Sequence, residues 1–278
     1  MNNLVYNNFT VNIASVADVQ MLKELWHNTF GDSYDYIDFF MREKFKNCIA
    51  LTAKQNHVLT GALYLMPVVA EEYGKAKNGY YLYALSVDER HRNLGIGSGL
   101  VKAACDLADE SCAFIALCPS EESLVSYYRK LGFCENAYVS ELVFHPEKKP
   151  INLNLCELNL KTFEKLRNES FENMIIWDKD ALEFILKENT FLGGKNICFS
   201  HKGKECFLLM RRINNEAVVL ESNLGDDEKR KISGFLAHKF NLSAIKWIVP
   251  HNPDINSVLY AMTYKLANND LYFNHILN

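Results

Sequence analysis

The chain has 278 residues, 49% hydrophobic and 23% charged, with a formal net charge of -4; this is an ordinary globular composition, long enough for two domains at roughly 100–200 residues each. The acidic balance argues against a nucleic-acid surface, no run approaches the ~20 apolar residues of a membrane span, and residues 1–6 lack a signal pattern, so a cytoplasmic protein without nucleic-acid or membrane partners is expected. The eight cysteines (Cys48, Cys105, Cys112, Cys118, Cys134, Cys156, Cys198 and Cys206) form no Cys-x-x-Cys pair, which reads as free thiols and no metal site.

A short strand is expected over 9–13. A helix follows over 16–30, where Val19, Leu22, Leu25 and Trp26 recur at helical spacing and Gly31 supplies the stop. Ser33 can cap a second helix with Ile37, Phe40, Met41 and Phe45 on one face. Strands over 48–53 and 58–70 are joined by the turn-prone Gln55-Asn56-His57, and Pro67 predicts an edge, a bulge or a break in the second. A polar excursion over 71–79 leads to an aromatic strand over 80–87. The stretch Arg92-Asn93-Leu94-Gly95-Ile96-Gly97 then opens a helix over 96–108 whose inward face carries Ile96, Leu100, Ala103, Ala104 and Leu107. After a strand over 113–117, Pro119 and Ser120 start a helix with Glu121 and Glu122 in its first turn. Its apolar side is Leu124, Tyr127 or Tyr128, and Leu131, and it stops at Gly132. A strand over 133–144 completes a mixed α/β layout on a central sheet.

The charged run Glu147-Lys148-Lys149-Pro150 marks a boundary, giving domains 1–147 and 148–278. The second half reads as a strand over 152–158, helices near 160–167 and 180–186, and strands over 196–200, 205–211 and 217–221 with Asn214-Asn215 as a hairpin turn. Asp226-Asp227-Glu228 ahead of Lys229-Arg230-Lys231 suits a solvated helix. A strand over 244–249, a helix over 256–266 and a terminal strand over 270–277 follow. This order repeats that of the first half, so a diverged internal repeat is expected, with Glu221-Ser222-Asn223-Leu224-Gly225 in place of the glycine cluster.

The glycine stretch is the chemically informative one. Gly95, Gly97 and Gly99 allow a ligand close to the backbone, and the free N–H groups of a new helix favour an anion such as a diphosphate. A nucleoside triphosphate loop needs Gly-Lys followed by Ser or Thr, which is absent; a dinucleotide loop needs a glycine where Leu100 stands. The remaining pattern, Arg-x-x-Gly-x-Gly between strand and helix, resembles the acyl-coenzyme A loop of the GCN5-related N-acetyltransferase (GNAT) superfamily. Two further segments match in register: Tyr128-Arg129-Lys130-Leu131-Gly132-Phe133, with its tyrosine before a Gly-Phe pair, and Leu85-Ser86-Val87 on the preceding strand. The resemblance covers residues 50–145 well and the first 45 loosely. The whole chain looks like the two-domain bacterial members, with the enhanced-intracellular-survival type of aminoglycoside acetyltransferase more distant.

The resemblance implies a GNAT-like acyl-CoA-binding domain followed by a degenerate GNAT-like domain that does not bind the coenzyme. It implies acetyl-CoA as co-substrate, no metal, and direct acetyl transfer to the primary amine of a small molecule or peptide. Arg92, Asn93, Leu94, Gly95, Ile96, Gly97 and Ser98 would hold the diphosphate, and the backbone of Leu85, Ser86 and Val87 would pair with the pantetheine arm. Tyr128 would protonate the departing thiolate, with Tyr127 as its rival. A protonated amine must first lose a proton. Many members carry a glutamate for this on the strand before the loop, whereas Tyr80-Tyr81-Leu82-Tyr83-Ala84 holds no carboxylate. By analogy with two-domain relatives the terminal carboxylate of Asn278 is a candidate base, and His91 is a second. Cys118 reads as a strand-end thiol. The missing carboxylate also fits an alternative, a catalytically inactive module that senses acyl-CoA or holds a partner without turnover.

Overall fold

The computed structural model describes residues 4–6, 8–72, 75–111, 113–147, 153–255, 257–267 and 271–273. In chain order its elements are β1 (Leu4–Tyr6), β2 (Phe9–Ile13), α1 (Val19–Phe30), α2 (Tyr34–Glu43), β3 (Ile49–Gln55), β4 (Val58–Glu72), β5 (Lys75–Val87), α3 (Ile96–Glu110), β6 (Phe114–Leu117), α4 (Glu122–Lys130) and β7 (Cys134–Phe144). The second half supplies β8 (Cys156–Glu157), α5 (Leu160–Ser170), β9 (Ile175–Ile176), α6 (Lys179–Phe191), β10 (Lys195–His201), β11 (Lys204–Ile213), β12 (Glu216–Ser222), α7 (Asp226–Phe240), β13 (Ala244–Pro250) and β14 (Ser257–Tyr264).

Contacts divide the chain into one unit of Met1–Glu135 with Ala261–Ala267 and a second of Asn136–Tyr260 with Asn268–Asn278. The division falls inside β7, ahead of the boundary expected at 147/148. Pairing explains it: β7 beyond Glu135 pairs with β13, and the end of β14 pairs with β6.

In the first unit β2, β3, β4 and β5 run antiparallel, and β5 lies parallel to β6. Asn56 and His57 both take positive φ (49° and 67°), which lets two residues close the β3–β4 hairpin with the natural strand twist. Trp26 of α1 packs on Tyr64 and Tyr83 with ring centroids 5.3 Å and 5.7 Å away, and Phe40 of α2 lies 5.3 Å from Tyr64. On the other side of β4, a Cβ at Gly61 would come within 2.9 Å of Ile96 and 3.0 Å of Leu100, so its absence lets α3 seat closely. Each fully buried aromatic contributes about 1.5–3 kcal/mol, and the sheet is held from both faces.

Two expectations for this unit change. β4 runs unbroken through Pro67, so of the edge, bulge or break expected there the break is absent; Pro67 lies past Leu65, the last β4 residue paired with β3, and no β3 carbonyl loses a donor to it. The polar segment 71–79 is not an excursion: Glu71 and Glu72 pair with Ala76 and Lys75, so it forms the end of the β4–β5 hairpin.

The second unit repeats part of this plan. β10, β11 and β12 are antiparallel, α7 follows, and β13 returns parallel to β12. Ile197, Leu208, Val219, Ile232, Leu236 and Trp247 pack as one core, with Trp247 Nε1 donating to Ser233 Oγ at 2.9 Å. The strand expected over 152–158 shrinks to β8, which pairs with β10. The helix expected over 256–266 is the strand β14. Val258, Tyr260, Met262 and Tyr264 alternate, and Met262–Tyr264 pair antiparallel with β6. The repeat therefore holds through three strands, a helix and a parallel strand, without a counterpart to α4. Of the terminal strand expected over 270–277, Tyr272 bridges to Met174. Asp270 and residues 274–278, Asn278 included, lie outside the described residues.

Candidate functional site

Parallel pairing of β5 with β6 joins Gly79–Tyr81 to Phe114–Ala116. Gly79 makes this possible, because a Cβ there would strike the Phe114 ring. Past Tyr81 the described pairing ends and β5 bends. Ala84 adopts φ +48°, and the β4–β5 register slips between Ala62 and Tyr64. A left-handed alanine costs roughly 1–2 kcal/mol, and a bulge re-aims the strand beyond it. Leu85, Ser86 and Val87 thus lie past the bulge and past the last described pair with β6, while Ser86 and Val87 pair with Ala62 and Gly61 of β4. Ser86 Oγ itself donates to Ala62 O at 3.4 Å, so its side chain serves the sheet.

The loop after β5 is built on Asp88. Its N–H donates to Thr60 O at 2.9 Å, and its carboxylate accepts from Arg90 N, Nε and Nη2 at 3.0, 3.1 and 3.0 Å. The Arg90 guanidinium holds the Asp88 carboxyl well below the usual range. An ionised carboxylate only accepts, so His91 Nδ1, 3.1 Å from Asp88 Oδ1, is the donor in that bond. This bond ties one ring nitrogen of the candidate base His91 to the loop and leaves Nε2 as the nitrogen that can accept a proton. Arg92 Nε donates to Val87 O at 3.4 Å, and Asn93 and Gly95 take φ +63° and +80°.

This conformation delivers the chain to α3 at Ile96 with no capping side chain on its first N–H groups. Gly97 is the tight point: a Cβ there would lie 3.1 Å from Tyr127 Oη and 3.6 Å from Val87 Cγ2. Ser98 Oγ donates to Tyr127 Oη at 3.3 Å. Of the two tyrosines that the spacing leaves as alternatives, Tyr127 is the one brought to Gly97 and Ser98. Tyr128 is 7% exposed, with ring centroids 5.8 Å from Phe133 and 5.1 Å from Tyr127. Burial pushes its phenol well above the ordinary value, so it stays a neutral proton donor. Gly132, at φ +91°, turns the chain from α4 into Phe133, which accounts for the Gly-Phe pair.

Beside the loop opens a cleft of about 790 Å³, lined in part by Leu94, Gly95, Ser98, Lys102 and Lys130. That is the size of a small-molecule site, and its lining carries two lysines and one carboxylate, Asp106. Burial raises the Cys118 thiol, against a role as a nucleophilic thiolate. Among the described residues no cluster of His, Cys, Asp and Glu is arranged to hold a metal.

The equivalent turn in the second unit is chemically opposite. α7 begins after Gly225 with Asp226, Asp227 and Glu228 in its first turn, and Glu228 Oε2 accepts the Gly225 N–H at 3.4 Å. The helix start that could receive an anion is already occupied by carboxylates. Sequence reasoning misses three features of the first site: the left-handed Ala84, the Tyr127–Ser98 bond, and Asp88 as the loop's organiser. Only Asp88 carries a local signal, as an acidic cap two residues before Arg90.

Residues 19–133 match the model of the acetyltransferase (GNAT) family. No curated protein matches the sequence. Among solved structures, a conserved protein from Enterococcus faecalis V583 is similar over 92% of this chain and 72% of its own, at 15% identity and a TM-score of 0.74. A GCN5-related N-acetyltransferase from Anabaena variabilis is similar over 92% and 72%, at 14% identity and a TM-score of 0.71. Eis1 from Mycobacterium abscessus is similar over 92% and 74%, at 11% identity and a TM-score of 0.65. Identities this low speak for the fold. Among the described residues no helix is long and apolar enough to cross a membrane. The family match falls on the unit that holds the glycine loop and Tyr128, and it is this part of the chain, residues 19–133, that is similar to the acetyltransferase (GNAT) family.

Proposed function

We propose that the protein is an N-acetyltransferase that moves the acetyl group of acetyl-CoA directly to a primary amine. The observation that carries this reading is the uncapped start of α3, reached through left-handed Asn93 and Gly95, after a stretch of β5 that runs on beyond its last described pair with β6. The fit is specific. The N–H groups from Gly95 to Ser98 suit a diphosphate, Arg92 adds charge, and the backbone of Leu85–Val87 suits the amide-bearing pantetheine arm.

Bound acetyl-CoA supplies the thioester. The amine, entering in its unprotonated form, bonds through nitrogen to the acetyl carbon as the carbon–sulfur bond breaks; Tyr128 gives the leaving sulfur its proton, and the proton shed by the acylated nitrogen passes to water, which restores the Tyr128 phenol. Burial raises the phenol above its ordinary value, so at neutral pH it holds the proton it is to give. The second unit is proposed to be a GNAT-like domain without a coenzyme site, on the strength of the carboxylates at the start of α7.

A second reading, an acyl-CoA sensor without turnover, draws on the aromatic stretch Tyr80–Ala84, which brings no carboxylate to the parted strands. Calorimetry with acetyl-CoA followed by thiol release against an amine panel separates the two. Binding with amine-dependent release supports the enzyme, binding without release on any amine supports the sensor, and no binding removes both.

A further inference from the structure

Strand β8 is the short outer strand of the second unit, held to β10 by the pairs Ile197↔Glu157 and Cys198↔Cys156. The register places two cysteines directly opposite one another. Opposed residues of an antiparallel pair have Cα atoms about 4.5–5.5 Å apart and side chains on the same face, inside the ~4.4–6.8 Å span that a disulfide bridges. Along β10, Ile197 and Phe199 are 5% and 4% exposed and belong to the core, so the intervening Cys198 points to the other face. Cys156 is exposed and Cys198 partly so, which leaves the pair open to small oxidants and reductants. Cys105 and Cys206 are buried, and among the described strand pairings no other cysteine faces a cysteine.

We propose that Cys156 and Cys198 are a reversible thiol–disulfide pair that, on exposure to a hydroperoxide, covalently fastens β8 to β10. The Cys156 sulfur attacks the peroxide oxygen, the O–O bond breaks, and a sulfenic acid and water form. The Cys198 sulfur then attacks the Cys156 sulfur, the S–S bond forms, and the departing hydroxide takes the Cys198 proton as a second water. Two thiols lose two electrons and hydrogen peroxide gains them; a dithiol reductant reverses the change. Burial, with Cys156 and Glu205 nearby, raises the Cys198 thiol, which suits the more exposed Cys156 for the first attack. The bond closes a loop containing α5, β9 and α6, so it restricts the unfolded chain and braces the sheet edge.

The test is peroxide treatment of the reduced full-length protein, followed by a non-reducing digest and mass spectrometry. A Cys156–Cys198 linked peptide is expected, lost on adding dithiothreitol, with a rise in Tm of roughly 5–10 °C for the oxidised form. Cys198→Ser should abolish the linked peptide and the Tm rise together, leaving Cys156 to be trapped as a sulfenic acid by dimedone. Absence of the linked peptide under conditions that oxidise the exposed Cys134 overturns the proposal, as does a linked peptide with an unchanged or lowered Tm.

Discussion

Replacing Gly97 with leucine separates a structural glycine from a ligand-facing one. Gly97 lies in the first turn of α3 without a positive φ, so the backbone accepts a side chain, and removing a helical glycine gains up to about 1 kcal/mol. The added Cβ meets Tyr127 Oη at 3.1 Å and Val87 Cγ2 at 3.6 Å, contacts relieved by a shift of a few tenths of an ångström in the tyrosine. The fold should survive with Tm unchanged or slightly raised. The remaining leucine atoms crowd the mouth of the N–H cradle. If they displace two N–H bonds to the diphosphate, each about 1.5–3 kcal/mol for a charged partner, coenzyme A binding weakens by about 3–6 kcal/mol, or roughly 10²–10⁴-fold in Kd. Calorimetry with coenzyme A and a thermal melt measure the two quantities on one sample, with Gly97→Ala as an intermediate. A Kd within threefold of the unsubstituted protein, at unchanged Tm, refutes the loop assignment.

Tyr128→Phe should lower kcat by about 10²–10⁴ while the Kd for coenzyme A holds; an unchanged kcat removes Tyr128 from the mechanism. Because Asp88 is held below the usual carboxylate range, its stabilising effect is complete above the unfolded value near ~4 and is lost as pH falls toward the lower folded value. Asp88→Asn should therefore reduce stability at pH 7 and flatten the acid limb of a stability–pH curve below ~4; parallel curves for the two proteins speak against it. In the second unit, Arg167 (1% exposed) donates from Nε to Glu221 Oε1 at 3.1 Å and from Nη1 to Ile175 O at 2.9 Å. Arg167→Met, which removes a charged partner of the buried Glu221, should cost about 3–5 kcal/mol in denaturant unfolding, and adding Glu221→Leu should recover most of it; a single-variant loss under about 1 kcal/mol contradicts a buried, coupled pair.

Local chemistry made much of this fold readable. The periodic faces of α1 and α3, the Ser33 cap, whose side chain accepts from Tyr36 N, and the Asn56-His57 turn all act within a few residues, and each appears where the sequence places it. The elements that failed depend on distant partners. Residues 257–264 fit a helical spacing and a strand alternation alike, and pairing with β6 decides for the strand. The polar segment 71–79 offers no apolar face, yet the hairpin supplies its backbone bonds from within. The candidate site divides in the same way. Glycine spacing marks the loop because backbone conformation demands it, as at Gly95. Tyr127 and Tyr128 are neighbours that periodicity cannot rank, and only the packing of α4 brings one to Ser98 while burying the other. An alanine at φ +48° violates its own preference, so the bulge at Ala84 has no local signature.

The central claim is acetyl transfer from acetyl-CoA to an amine at the first unit's loop and tyrosine. Its most direct test is to follow free coenzyme A thiol and acetylated amine together across a panel of primary amines. The account predicts that both accumulate in equal amounts for at least one amine, and that Tyr128→Phe slows both equally. Saturable binding of acetyl-CoA with neither product formed on any amine would contradict it.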